Sequence, residues 1–277
     1  METPDTQIKR CAMGLGTPYL YERSCKVVGG SLHDNRFIVS FSKKALGADP
    51  RLRLSELTRS LAAPEPFAVS IRDGLGDASF VHVGFEEDAV GSLCKVYLEN
   101  GADLRNAVET DERPRKPLLV HTAYKWCPQV HSVAAVSHYH CDPMLTLDQV
   151  IGRLHKVFGG KALPALDNWA AIMRFVNDLI DIKNFFFMEV SEADTPRQSF
   201  DLNVYDAELT VGEFAPLLTP LAQTLAVKEN KWNTFLESRR DERLGHLAGG
   251  IHRSGKEFMT LYFGAEMYGD TVVVGGG

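Results

Sequence analysis

The side chains that could do chemistry first appear as a carboxylate and a cation on neighbouring strands. In Tyr21-Glu22-Arg23-Ser24-Cys25-Lys26 an extended chain puts Glu22, Ser24 and Lys26 on one face. In Asn35-Arg36-Phe37-Ile38-Val39-Ser40-Phe41-Ser42 it puts Arg36, Ile38, Ser40 and Ser42 on one face and Phe37, Val39 and Phe41 on the other. The two strands join through Gly29-Gly30-Ser31, where glycine permits the positive backbone angles of a turn. Taken alone, Glu22 and Arg36 fit a solvated sheet face or a plain surface salt bridge, since exposed charge is the rule.

The same alternation recurs along the chain. One face is apolar in Phe37/Val39/Phe41, Val96/Leu98, Phe200/Leu202/Val204 and Met259/Leu261/Phe263. The opposite face carries Lys95/Tyr97/Glu99, Asp201/Asn203/Tyr205, His246/Ala248/Gly250/His252 and Thr260/Tyr262/Gly264. An open sheet with helices on one side gives this alternation too. A solvated face, however, favours Lys, Glu and Thr over so many Tyr, Gly and His. A polar lumen lined with tyrosines, with helices covering the apolar side, fits better.

Two other constellations of reactive side chains occur in the sequence. His131, His138, His140 and Cys141 crowd one segment and could bind Zn²⁺, but no H-E-x-x-H or paired cysteine accompanies them, so no metal ligand is assigned. Ser24 with His33 and Asp34 lacks the G-x-S-x-G turn of a hydrolase nucleophile.

The elements that must position these residues alternate between strand pairs and helices. Leu54, Leu57 and Leu61 predict a helix ended by Ala62-Ala63-Pro64. Strands are expected at 67–71, 79–85, 93–99, 118–126, 133–140, 185–190, 199–205, 246–252 and 258–264. Thr146-Leu147-Asp148-Gln149 has capping-box spacing and opens a helix stopped by Gly159-Gly160. Further helices are expected around Trp169 to Ile180, 213–225 and 232–244, the second of them bent by Pro220. Strands joined by tight turns are antiparallel, which excludes a Rossmann sheet, and no G-x-G-x-x-G follows a strand. No repeat or long linker divides the chain, so one α+β domain over 1–277 is expected, with 1–18 and 270–277 as flexible ends.

Composition narrows the function classes. The 277 residues are 44% hydrophobic and 24% charged, ordinary for a soluble globular protein. A net charge of −6 argues against nucleic acid as the main partner. No run approaches the roughly 18 apolar residues that span a bilayer, so no membrane partner is expected. The N-terminus lacks a signal-peptide pattern, and the five cysteines are odd in number without a C-x-x-C. A cytoplasmic, reducing location is the expectation.

The run Glu22-x-Ser24-Cys25-Lys26 followed by Arg36-Phe37 resembles the opening hairpin of the cyanobactin-type peptide prenyltransferases, members of the ABBA class. Their strands form a closed antiparallel barrel ringed by helices. The resemblance recurs in order. Ser92-Leu93-Cys94-Lys95-Val96-Tyr97 looks like the strand that carries a lysine toward the diphosphate. The strands at 185–190 and 200–205 are similar to the next hairpin. Gly250-Ile251-His252-Arg253 and Met259-Thr260-Leu261-Tyr262-Phe263 are similar to the closing strands. These pieces cover about two-thirds of the chain. Three departures stand out: the helical lead-in is mostly missing, 118–140 looks inserted, and Glu99 stands where a basic residue is expected.

The resemblance implies transfer of an isoprenyl group from its diphosphate to a nucleophilic side chain of a peptide or amino acid. Arg36 and Lys95 would hold the diphosphate, with Mg²⁺ as a further counter-charge. Tyr97, Tyr205 and Tyr262 would line the diphosphate site and shield the allylic cation through their π faces. Glu22 would accept or orient the acceptor's proton. Members with a five-carbon donor tend to carry a bulky Phe at the position matching Ala248. Here Ala248 is followed by Gly249 and Gly250, and Gly264 stands where a larger residue is common. A pocket at Ala248, Gly250 and Gly264 points to a geranyl donor, with farnesyl or dimethylallyl as the alternatives.

Overall fold

Tyr19–Val28 (β1) is the strand on which the sheet begins and ends. The chain turns at Gly29 and Gly30, both with positive φ, into a three-residue strand Ser31–His33 (β2), then into Arg36–Ser42 (β3). Both β2 and β3 pair antiparallel with β1. A computed structural model describes residues 3–269 apart from 15, 89, 90, 161, 162, 194 and 196. The tail expected at 270–277 lies outside these residues, as does the His131 side chain.

Strand pairs and helices then alternate. Pro50–Ser60 (α2) and Glu65–Gly74 (α3) precede the hairpin Phe80–Asp88 (β4) and Gly91–Glu99 (β5). Ala102–Glu109 (α4) leads to Leu118–Cys127 (β6) and Val130–Cys141 (β7). Leu147–Val157 (α5) and Pro164–Asn177 (α6) precede Phe187–Glu192 (β8) and Gln198–Asn203 (β9). Val211–Thr224 (α7) and Glu229–Arg239 (α8) precede Leu244–Ile251 (β10) and Glu257–Tyr268 (β11). Before β1 runs Pro4–Gly14 (α1).

Every neighbouring strand pair is antiparallel, in the order β11-β10-β9-β8-β7-β6-β5-β4-β3-β1, and β11 pairs back onto β1 from Tyr19↔Tyr268 to Val28↔Phe258. The sheet is therefore a closed barrel of ten strands, with β2 as an appendage, and eight α-helices surround it. Closure removes both sheet edges.

The apolar strand faces point outward into the helices, as the alternation predicts. Phe37, Val39, Phe41, Val81, Val83, Val96 and Leu98 pack with Leu54 and Leu57 of α2, Leu61 just past its end, and Ile71 of α3. Phe187, Phe200, Leu202, Leu247, Met259, Leu261 and Phe263 pack with α5 to α8, where Trp169, Phe214 and Trp232 are buried. Both capping boxes close as the sequence allows, Thr146 with Gln149 and Thr210 with Glu213. Pro216 and Pro220 are both accommodated inside α7.

Four expectations are corrected. The lead-in at 1–18 holds α1, fastened by buried Ile8 and Ala12 against β3 and β4. Residues 67–71 are helical: Phe67, Val69 and Ile71 mimic strand alternation, but Pro64-Glu65-Pro66 is a helix start, and within α3 only Ile71 is buried. Segment 118–140 is no insertion, since β6 and β7 bridge β5 and β8 and without them the barrel would not close. Tyr205 lies past the end of β9, in a short 3-10 turn.

Gly249 shows how tightly the shell meets the barrel. A Cβ there would stand 2.6 Å from Cε2 and 3.0 Å from Nε1 of the Trp169 indole. Gly249→Ala is expected to destabilise the fold by about 1–3 kcal/mol through overpacking, read as a lower urea midpoint with unchanged slope.

Candidate active site

Because side chains along a strand alternate, each strand sends every second residue into the lumen, two residues further along the barrel axis each time. Entering in sequence, β1 contributes Leu20, Glu22 and then Lys26, β4 His82 and then Glu86, and β6 His121 and then Lys125. Antiparallel β3 contributes Arg36 and then Ser40, and β5 Lys95, Tyr97 and Glu99. The register thus sorts lumen residues into two chambers. One, of about 570 Å³, is lined by Glu22, His82, Glu99, His121, Tyr205 and His246 among others. The second, of about 290 Å³, is lined by Lys26, Arg36, Lys95, Lys125, Arg197 and Arg253, facing Glu86 and Asp201. Tyr97, Tyr139, Asp201 and Tyr262 line both and form the collar between them.

The smaller chamber is cationic. Glu86, itself buried, takes an ion pair from Arg36 Nη1 at 2.5 Å and a very short hydrogen bond from Lys95 Nζ. Arg36 Nε also donates to Ser24 Oγ at 3.3 Å. Burial would raise the Glu86 pKa, but the Arg36 and Lys95 charges hold it well below the usual carboxylate range. One carboxylate does not satisfy two cations. Burial, only partly offset by Glu86, lowers Lys95 to about 7, and burial with Arg197 and Lys95 nearby lowers Lys125 well below its ordinary value. His252 is pushed down to about 4 by burial, Lys26, Arg197 and Arg253. At the far wall Glu192 binds Arg253 through two hydrogen bonds of 2.6 and 2.8 Å, and Arg197 at 3.4 Å. The chamber's charge is that of a receptacle for a polyanion.

The larger chamber carries acids with histidines. Tyr205 Oη donates to Glu22 Oε1 at 2.6 Å. Burial raises the Glu22 pKa, against the pull of His246 and the Tyr205 hydrogen bond. Gly245 is what lets this pair form, since a Cβ there would sit 2.5 Å from the Tyr205 Cζ and collide with Glu22 Oε1. His246 Nδ1 and Asp201 Oδ1 are 2.7 Å apart. Burial lowers the His246 pKa, but Asp201 more than offsets this and raises it to about 8, which favours the imidazolium at neutral pH. The collar phenols are all pushed upward, Tyr139 to about 12 and both Tyr97 and Tyr262 well above their ordinary value, chiefly by burial. They remain neutral rings, with Tyr97 and Tyr139 centroids 6.0 Å apart.

Solved structures share this architecture. The 5-dimethylallyltryptophan synthase from Streptomyces coelicolor aligns over 88% of this chain and 80% of its own, with TM-score 0.60 and 14% identity. The prenyltransferase PriB aligns over 88% and 79%, with TM-score 0.56 and 15% identity. NotF, in complex with brevianamide F and DMSPP, aligns over 90% and 80%, with TM-score 0.55 and 12% identity. The fold is the prenyltransferase barrel. No protein-family model and no curated relative matches the sequence.

In this prenyltransferase barrel the expected residues divide by chamber. Arg36 and Lys95 meet at Glu86 in the cationic chamber, so the surface pair of Glu22 with Arg36 does not form. Tyr97 and Tyr262 stand in the collar, while Tyr205, expected at the diphosphate, stands beside Glu22 in the other chamber. Glu99 is away from the cations too, bonded to His82. Ala248 lines the cationic chamber. Gly250 instead serves the backbone: its φ is +135, and a Cβ would come within 2.6 Å of Ser199 Cα. Gly264, with φ +63, faces Glu242 and Arg23 at the rim, away from both chambers. The crowded His/Cys segment splits across two faces, with His138 and His140 opposite lumen-facing Tyr139 and Ser137. Glu86, Lys125 and Tyr139 join the site from strands whose inward faces the alternation could have extended to them, whereas Arg197 stands just before β9, where no strand parity points to it.

Mg²⁺ is what the resemblance implies, but among the described residues the carboxylates at the cationic chamber are already paired, Glu86 with Arg36 and Lys95, Asp201 with His246, and Glu192 with Arg253 and Arg197, so they do not fit a set of hard oxygen ligands for it.

Removing the Glu86 charge leaves Arg36 and Lys95 buried without a counter-charge. Glu86→Gln is expected to cost about 3–5 kcal/mol at pH 7. Because the folded pKa of Glu86 is depressed, its contribution is present above the ordinary carboxylate value of 4.5 and fades as pH falls through the folded value. Urea melts of both proteins should therefore converge in acid.

Proposed function

We propose that the protein transfers an isoprenyl group from an allylic diphosphate to a nucleophilic side chain of an amino acid or peptide. The observation that carries this reading is the axial order of the lumen: an under-neutralised cationic chamber, a collar of neutral tyrosines, and a chamber with an acid poised as proton acceptor. Solved neighbours of this fold support it, one in complex with DMASPP and Trp and another with DMSPP and brevianamide F.

Each part has a chemical task. Arg36, Lys95, Lys125 and Arg197 bind the diphosphate as substrate and stabilise the charge that grows on it as the C–O bond loosens. An arriving polyanion restores full charge to Lys95 and Lys125, because it supplies the counter-charge that their burial lacks. The allylic cation then faces the Tyr97, Tyr139 and Tyr262 rings, which exclude water and stabilise positive charge without reacting as phenolates. The acceptor attacks from the larger chamber. Glu22 takes its proton, helped by a pKa raised toward neutrality, and Tyr205 fixes the carboxylate by donating to Oε1. The mouth of that chamber includes exposed Phe80 and Met267, an apolar rim on which a peptide or aromatic acceptor can rest.

A geranyl donor is the reading Ala248 supports, since a small side chain there leaves room beside Val190 and Phe258 for a second isoprene unit. A peptide acceptor of the cyanobactin kind rests on the sequence resemblance, and the free cysteines accord with the reducing cytoplasm.

The test is incubation with dimethylallyl, geranyl and farnesyl diphosphate, without added metal, against tryptophan and short aromatic peptides, read by mass shift. One added isoprenyl mass is expected, with the geranyl adduct dominant. Glu22→Gln and Arg36→Ala should each lower turnover on the order of 100-fold or more, and Ala248→Phe should shift the preference toward dimethylallyl. Diphosphate binding without any adduct across the panel would make the barrel a binder instead.

A further inference from the structure

The larger chamber contains a second constellation, independent of Glu22. Paired residues on adjacent strands bring Glu99 of β5 directly opposite His121 of β6, and Tyr97 opposite His82 of β4, so His82, Glu99 and His121 meet on one patch of lumen wall. Each offers one ligand atom, and these atoms lie within 4.8 Å of one another, near enough that small side-chain rotations bring them to the roughly 3.5 Å separation of donors around one tetrahedral ion. Among the described residues no other group of this composition converges so closely.

We propose that His82, Glu99 and His121 form a binding site for a first-row divalent cation such as Zn²⁺, with its remaining coordination positions open to the larger chamber. Two imidazoles and one carboxylate match the donor preferences of Zn²⁺ and not those of Mg²⁺, so this site is distinct in kind from a diphosphate counter-ion.

The surroundings fit a ligand set. His82 Nδ1 lies 2.7 Å from Ser40 Oγ, a second partner that fixes the ring and allows Nε2 to face the ion. In the metal-free chain His82 Nε2 and Glu99 Oε2 share a hydrogen bond of 3.0 Å. With the ring proton on Nδ1, donated to Ser40 Oγ, the Nε2 lone pair is free for the ion, which then replaces the hydrogen bond between Nε2 and Glu99. His121 Nδ1 is buried and has no hydrogen-bond partner, so no competing bond on that nitrogen fixes the ring. Its ring is confined edge-on by Tyr139 at 5.6 Å and His82 at 5.7 Å. All three donors stand on paired barrel strands, which makes the site rigid before any ion arrives.

Dialysis of the full-length protein against a chelator, followed by titration with Co²⁺ and competition with Zn²⁺, tests this without any prenyl substrate. One equivalent should bind, with the visible absorption of a low-coordinate Co²⁺ site that Zn²⁺ abolishes. His121→Ala and Glu99→Gln should each remove that spectrum, with folding checked by thermal melt, and Ser40→Ala should weaken binding about 10–100-fold. The outer pair change His138→Ala/His140→Ala should leave it intact. A wild-type protein that takes up no stoichiometric Co²⁺ overturns the proposal whatever the variants do, as does a spectrum lost in the outer-pair variant and kept in His121→Ala. Prenyl transfer measured separately with and without chelator keeps this outcome apart from the proposed reaction.

Discussion

The lumen exists because β11 pairs back onto β1. That pairing runs nearly the whole length of both strands and turns the polar face of an alternating sheet inward. On an open sheet Arg36, Glu86 and Lys95 would be solvated surface charges of small energetic consequence. Inside the barrel they are desolvated, and their mutual attraction and their collective deficit of negative charge become large. The same step buries Glu22 and gives it a raised pKa. Reactivity at both ends is thus a consequence of closure.

Much of this was legible, because closure and alternation share one period. The two-residue repeat that sends Phe37, Val39 and Phe41 outward sends Arg36 and Ser40 inward, and the share of Tyr, His and Gly on the inner faces distinguishes a lumen from a wet surface. What the repeat does not fix is position along the axis. Lys95, Tyr97 and Glu99 occupy one face of β5, yet they fall in the cationic chamber, the collar and the acidic chamber respectively. Glu99, four residues along β5 from Lys95, stands in the other chamber, and Tyr205 follows the end of β9 in a 3-10 turn, where strand alternation no longer places a side chain.

Glycine was the other limit of the sequence. Gly250 and Gly264 look like missing side chains that leave room, whereas both occupy positive-φ backbone, one against the β9 main chain and one against Glu242. Gly245, unremarked in the sequence, is the glycine that shapes the chemistry, because its missing Cβ admits the Glu22–Tyr205 contact. A glycine reports that something approaches closely; only the fold says whether that is solvent, backbone or a working side chain.

The two chambers also make sense of each other. On the proposed reaction, negative charge develops at the leaving diphosphate and a proton is released at the acceptor, so the site must stabilise opposite changes a few residues apart. A uniformly basic lumen would hold the donor but lower the Glu22 pKa and forfeit its use as a base; a uniformly acidic one would repel the donor. The barrel resolves this by axial separation, with Lys95 and Glu99 at opposite ends of one five-residue stretch of β5 and neutral Tyr97 between them. Tyr139 and Tyr262 complete that layer of neutral rings from β7 and β11, and Asp201, the acid that shares the collar with them, is paired with His246 of the larger chamber.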